Sequence, residues 1–307
     1  MTRRCLVFII GMIFLLHTPL VAQVGNSGMA FLKLGVSGRG VSMGDAMSSL
    51  VGGAAATYYN PAGLLPSAGS GMETQLMFMH KEWIQDARTE FLGAALPLGE
   101  RNALGVSVIS TTVSDIEIRT RPGPPDATFT ARNLSLGVSY AKAIGTDLRL
   151  GLTAKFLYEK ILVDEASGFA ADFGAQVNTP IEHLTAGIVL ANIGGMSALQ
   201  SEKTSLPALL RIGPAYSIDL ASDEYTLNLA ADYMHIFPEK QGYLNTGTEF
   251  MYGRLLAARL GYQFGSQGRG LSAGLGILYG IVGLDYAYSH LAEDLGNTHT
   301  LSLAVTF

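Results

Sequence analysis

Six histidines, one cysteine and a scattered set of acids and bases are the residues of this 307-residue chain that could do chemistry. His17 falls in an apolar N-terminal run, while His80, His183, His235, His290 and His299 fall near the ends of extended segments or at turns, and spacing assigns none of them a serine partner. There is no His-Glu-x-x-His helix, no phosphate loop and no Cys/His metal spacing, so zinc chemistry and nucleotide binding lack residues at the separations they require. Gly38-Arg39-Gly40 with Gly44 departs from the dinucleotide fingerprint and follows no strand–helix–strand pattern. No catalytic residue, metal or cofactor is assigned, and a hydrolase with a triad in a lumen or at a rim is the minor alternative. What does recur is charge at the polar positions of alternating segments: Arg149, Lys155, Asp172, Arg211, Asp232, Glu249, Arg259 and Asp285. Such residues share one face of an extended chain, and mixed signs in a confined space must pair because an unpaired buried charge is costly. Arg39 and Asp45 are expected among their partners. The expected chemistry is a structural ion network, with solute selection as the alternative.

The elements that must position these charges follow from composition and alternation. Hydrophobic residues make up 48% and charged residues 15% of the chain, against about 25% charge in an ordinary soluble domain. Beyond the N-terminal run no stretch approaches the roughly 20 apolar residues of a membrane helix. Leu134, Leu136, Val138 and Tyr140 alternate with Asn133, Ser135, Gly137 and Ser139, and the same period of two runs through 148–159, 225–233 and 282–289. An apolar chain of alternating segments reads as all-β, a transmembrane antiparallel barrel with one face of each strand on lipid and the other on the lumen. Fourteen segments are expected, at 72–79, 89–98, 103–112, 132–142, 148–160, 168–177, 184–193, 207–217, 225–235, 243–251, 255–264, 271–279, 281–290 and 298–307. Short connections at 99–102, 144–147, 252–254 and 280 interleave with longer ones at 114–131, 194–206 and 291–297, which puts both ends of the barrel, residues 72–307, on the periplasmic side. Tyr158, Tyr216, Tyr225, Tyr233, Tyr252, Tyr262, Phe264, Tyr279 and Phe307 stand near segment ends, where an interfacial girdle needs them. Phe307 closes the run Leu301, Leu303, Val305 and is the expected signal to the barrel-assembly machinery. A soluble β-sandwich is the alternative, but its strands would not sustain so apolar an outer face.

Residues 1–22 read as an export signal: Arg3 and Arg4 precede the apolar run 5–16, followed by Pro19 and Leu20-Val21-Ala22, with cleavage after Ala22. Cys5 leaves with it, and the formal charge moves from −5 to −7 as two arginines are lost, which excludes nucleic acid as a partner. Residues 23–71 carry no strand pattern. Met43, Ala46, Met47 and Leu50 recur at i, i+3, i+4 and i+7, predicting a short amphipathic helix over 42–49 that Gly52-Gly53 ends. Asn60-Pro61 opens a second, with asparagine as cap and proline in the first turn. This compact, glycine-jointed insert is expected to plug the barrel lumen, with Gly38, Arg39, Gly44, Asn60, Pro61, Ala62 and Gly63 as its motif. The loop over 114–131 holds Pro122-Gly123-Pro124-Pro125 and is stiffened enough to be a docking surface.

Phe31-Leu32-Lys33-Leu34-Gly35, Gly38-Arg39-Gly40, Met43-Gly44-Asp45-Ala46 and Tyr59-Asn60-Pro61-Ala62-Gly63-Leu64 resemble the N-terminal signature of the PorV/PorQ family. That family is related to the FadL long-chain fatty-acid transporters of Gram-negative outer membranes. The chain departs from the pattern at Gly52-Gly53, where family members carry an acidic pair. The resemblance implies an outer-membrane, non-enzymatic component of type IX secretion, with secreted proteins bearing a C-terminal signal domain and secretion-system subunits as partners. The wider relationship implies instead a channel for hydrophobic small molecules, gated by movement of the N-terminal insert. A structural barrel in contact with outer-membrane lipid alone is the third reading.

Overall fold

In the long strands the outward position recurs every second residue and is mostly apolar, and the sheet they build has no edge. The computed structural model describes residues 27–66, 73–83, 87–199, 202–220, 224–253, 255–266, 268–292 and 296–307; the expected export signal and its cleavage site lie outside them. The strands are β1 (Gln75–Glu82), β2 (Ala87–Pro97), β3 (Asn102–Ile118), β4 (Ala127–Ile144), β5 (Leu148–Ile161), β6 (Asp164–Asn178), β7 (Leu184–Met196), β8 (Leu209–Leu220), β9 (Tyr225–Ile236), β10 (Gln241–Tyr252), β11 (Leu256–Phe264), β12 (Arg269–Tyr279), β13 (Val282–Leu291) and β14 (Asn297–Thr306). Each pairs antiparallel with its neighbours, and β1 closes the ring on β14 from Gln75 opposite Thr306 to Glu82 opposite His299. Thr74 and Phe307 extend that seam with reciprocal backbone bonds of 2.9 Å. Fourteen strands are what alternation predicts, and closure satisfies every ladder without a free edge, the condition for strands in lipid. No helix among the described residues is long and apolar enough to cross a membrane.

Several boundaries differ from the sequence reading. β1 occupies Gln75–Glu82 in place of 72–79. Most of the expected loop over 114–131 is strand, because the alternation of Ile116 and Ile118 with Phe129 opposite continues past a bulge at Asp115 (φ 56°), leaving a tip of only 119–126. The regular alternation of short and long connections also fails. At the end away from the barrel's termini, β5 and β6 are joined by Leu162 and Val163 alone, and β9 and β10 by 237–240. The longest connection there, 197–208, carries a ribbon of Ala198–Leu199 with Glu202–Lys203.

Residues 27–66 lie inside the ring and are mostly buried, with Ala30 and Gly52 exposed. The helix expected over 42–49 is absent. An α-helix instead spans Gly38–Ser42, started by the Ser37 hydroxyl accepting from the Gly40 N–H at 3.0 Å. It stops because Gly44 and Asp45 turn left-handed, at φ 64° and 61°. Further on, 3-10 turns at Gly53–Ala55 and Pro61–Leu64 flank a single α-turn, Ala56–Tyr59.

Candidate functional site

The insert runs the length of the lumen. At the end away from the barrel's termini Ser27 and Lys33 both donate to the Glu239 carboxylate in the 237–240 turn, and the Gly28 N–H donates to the Ser205 carbonyl at 3.0 Å. At the end that carries the barrel's termini, Arg149 Nη1 donates to the Leu65 carbonyl at 3.3 Å and Nη2 to Asn178 Oδ1 at 3.3 Å. Between these ends the eight lumen charges expected from the sequence all lie on the inner wall, seven of them buried and Asp285 half-buried.

They form separate groups. Glu249 accepts a fork from Arg39, Nε at 2.9 Å and Nη2 at 2.8 Å, and is also paired with Arg259 and bonded by Asn228 Nδ2 at 2.9 Å. Arg259 continues to Asp285 at 2.7 Å. A two-pronged arginine–carboxylate contact is both strong and directional, so this chain fixes the Gly38–Ser42 helix to β10, β11 and β13. The Glu249 carboxylate in turn keeps the Arg39 guanidinium firmly charged. Asp232 accepts from the Ser48 N–H at 2.7 Å and from its hydroxyl. Lys155 pairs with Asp172 and reaches Asn192 Oδ1 at 2.9 Å, holding a bulge where Asn192 is left-handed at φ 61°.

Sequence reasoning missed three members of a further group: Tyr59, Lys81 and Arg269. Asp45 accepts from the Tyr59 hydroxyl at 2.7 Å and is paired with Arg269, while buried Lys81 donates to the Gly35 carbonyl. Burial alone would push the Asp45 carboxyl up, but Arg269, then Lys81 and Arg211 and the Tyr59 hydroxyl, together hold it below the usual carboxylate range. Burial pushes the Tyr58 hydroxyl up to about 12 and Tyr59 well up too, so both stay neutral donors. Arg211 lies 5.7 and 5.6 Å from the Tyr58 and Tyr59 ring centres. No described carboxylate is within ion-pair distance of it, and its Nε has no hydrogen-bond partner. Its head faces a cavity of about 10 Å³, shared with Leu32, Tyr58, Lys155, Asn192 and Leu209 and large enough for one water.

Asn60 joins plug and wall. Its Oδ1 accepts from the Ala62 N–H at 3.1 Å, and its Nδ2 donates to the Ser48 carbonyl at 2.6 Å and the Ala175 carbonyl at 3.1 Å. The remaining motif residues, Gly38, Gly44, Pro61, Ala62 and Gly63, press backbone against backbone. The wall makes room through inward glycines: a Cβ on Gly151, Gly174, Gly187, Gly247, Gly261 or Gly274 would come closer than 3.0 Å to insert atoms. Glycine inside a strand marks close approach of another backbone, a signal that was present in the sequence.

Two serines match Gly-x-Ser-x-Gly by letter, in Gly40-Val41-Ser42-Met43-Gly44 and Gly270-Leu271-Ser272-Ala273-Gly274. Neither forms a nucleophile elbow with a base. The Ser42 hydroxyl is committed to the Gly38 and Arg39 carbonyls at 2.8 and 2.9 Å, and Ser272 to the Ser42 carbonyl at 3.4 Å. The described polar contacts of the histidines are to carboxylates, tyrosine or asparagine.

No protein-family model matches the chain, and no curated protein matches it. Solved structures do. The chain is similar to the toluene transporter TbuX of Ralstonia pickettii (13% identity, 89% of this chain and 97% of that one, TM-score 0.56). It is also similar to the toluene transporter TodX of P. putida (10% identity, 89% and 96%, TM-score 0.57) and to a FadL homologue of Pseudomonas aeruginosa (12% identity, 89% and 98%, TM-score 0.54). At these identities the likeness is one of fold: a FadL-like outer-membrane barrel, aligned over nearly its whole length.

Proposed function

We propose that the chain is a channel for hydrophobic small molecules in the outer membrane of a Gram-negative bacterium, in its plugged state. The observation that carries this reading is the apolar seam between insert and wall in the outer half of the lumen. There Met29, Phe31, Leu32 and Tyr58 belong to one buried cluster with Leu157 and Met196. A passage opened along that seam by movement of the insert is lined with aliphatic, aromatic and thioether groups, which suit an apolar solute. Arg211, set against aromatic faces and in direct ion pair with no described carboxylate, although Asp45 and Asp232 lie within its field, would favour a solute that also carries an anionic head over a neutral hydrocarbon. The toluene transporters and the FadL homologue supply the analogy in fold.

The secretion-associated reading is favoured by a different observation, the motif from Phe31 to Leu64, which resembles the PorV/PorQ signature. In that reading the barrel receives exported proteins.

Proteoliposomes holding the intact protein should take up toluene or a long-chain carboxylate saturably, and Arg211→Ala should reduce carboxylate uptake more than toluene uptake. Absence of uptake of both solutes, with stoichiometric capture of an exported protein through its C-terminal domain, would transfer the assignment to secretion.

A further inference from the structure

The lipid-facing wall contains a groove of about 520 Å³ across β10 to β13. Ala258 and Ala273, with Gly274, make its floor, and Phe250, Leu260, Leu275 and Tyr286 stand around them. Register explains the hollow. Ala258 sits between Phe250 and Leu275, and Ala273 between Leu260 and Tyr288, so each methyl lies between two large neighbours. Leu260 and Leu275 are 60% and 63% exposed, so none of the described residues covers the groove. On the β13 side it meets a polar row on the same outer face. The Tyr288 hydroxyl donates to Asn297 Oδ1 at 2.7 Å, His290 Nδ1 lies 3.0 Å from the same oxygen, and the Tyr286 hydroxyl is 2.7 Å from His299 Nδ1. Each ring thus engages Nδ1, and among the described residues neither Nε2 has a partner. Beyond His299 the next strands present Glu82 and its cross-strand neighbour Arg88.

We propose that this groove binds one acyl chain of a phosphorylated outer-leaflet lipid, whose phosphate rests on the His290, Asn297 and His299 row. The groove is continuous with the apolar belt, so its surroundings are hydrocarbon. A second copy in a two-fold dimer would set the same hollow against this one and leave both unfilled, whereas a flexible chain fills either. The polar row offers the Asn297 amide N–H and, with the Tyr286 hydroxyl donating to Nδ1, the His299 Nε2–H at the end where the row of outward leucines stops, which suits phosphate oxygens. The floor is also one backbone thick: directly behind Gly274 lies Ser42 of the insert, and behind Gly276 lie Arg259 and Asp285. A chain in the groove therefore keeps water from the thin wall that backs the Arg39, Glu249, Arg259 and Asp285 network.

Native mass spectrometry of the intact protein in detergent, after incubation with either a bis-phosphorylated acylated disaccharide or phosphatidylethanolamine, tests this. One glycolipid should be retained per barrel. Ala258→Leu with Ala273→Leu should cut retention at least about tenfold, while Ala154→Leu, an outward alanine on β5, should leave it unchanged, all three barrels remaining heat-modifiable. If the double variant fails to fold, Ala258→Val with the same readout replaces it. His290→Ala with His299→Ala should lower retention of the glycolipid only. The proposal is overturned by absence of an adduct, by equal loss in Ala154→Leu, by equal retention of phosphatidylethanolamine, or by a dimer that the groove-filling variants dissociate.

Discussion

Asn60 does three jobs with one side chain, and their sum sets what its removal costs. The cap to Ala62 is worth about 1 kcal/mol, and the two amide bonds, to Ser48 and Ala175, add about 1 kcal/mol each. Asn60→Ala should thus weaken the seating of the insert by about 3 kcal/mol without opening the barrel itself, visible in planar bilayers as brief openings absent from the parent. Asp45 carries the pH dependence. Its carboxyl is held below its ordinary value in the folded protein, so the stabilisation is present above the unfolded value of about 4 and is lost as pH falls through the folded one. Protease sensitivity of the insert should therefore rise on acidification below about pH 4. Asp45→Asn should raise it already at neutral pH, because breaking a buried pair costs about 3–5 kcal/mol, and should flatten the acid response; an unchanged acid profile in that variant would assign the effect elsewhere. The sequence suggests Asp45 as an ion partner of the wall but does not point to Tyr59 and Arg269 as what it meets. Met43, Ala46 and Met47 have the spacing of one side of an amphipathic helix, yet Asp45, Ser48 and Ser49, which that spacing puts on the other side, are also buried, at 3%, 1% and 6% exposed. Amphipathic periodicity presumes a side that faces water, and a segment enclosed by a wall has none.

At the scale of elements the strands were legible because lipid imposes a period of two that continues past the few bulges. The 114–131 segment was misread because its prolines and glycine occupy only a tip, while the alternation that makes strand of its flanks is short and carries a bulge. The wall glycines were legible in principle, since each falls at an inward position of an alternating strand, but what they approach is set by a distant stretch of chain. The last strand has a cost attached to it. Phe307 bonds Thr74 in both directions, so its removal strips the first rung of the closing seam. Deleting Phe307 should lower the heat-modifiable barrel in outer-membrane fractions several-fold, whereas deleting the tip 119–126, which pairs with nothing outside its own hairpin, should leave the amount unchanged. Equal loss in both would mean that the terminal strand has no special part in assembly.

For the whole molecule the question is what the ring holds when the insert is gone. A fourteen-stranded wall with inward glycines cannot fill its own interior with side chains. Deletion of residues 25–70 should therefore yield an assembled barrel with large, steady conductance. If that barrel conducts no more than the intact protein, another segment closes the pore, and the 114–131 hairpin is the first to test. The path of the insert also bears on how the chain is made. Its first described residues are fastened to turns at one end of the ring, and its last lie at the other, against β5. Phe31, Tyr58 and Tyr59 are buried in one cluster with the wall side chains Phe91, Leu157 and Met196, so pushing them through a finished ring would demand clearance that a closed, packed bore does not give. The order of events that geometry allows is winding: the strands are laid around a spool that is already in place, and the join between the first and last strands is the final turn of the thread.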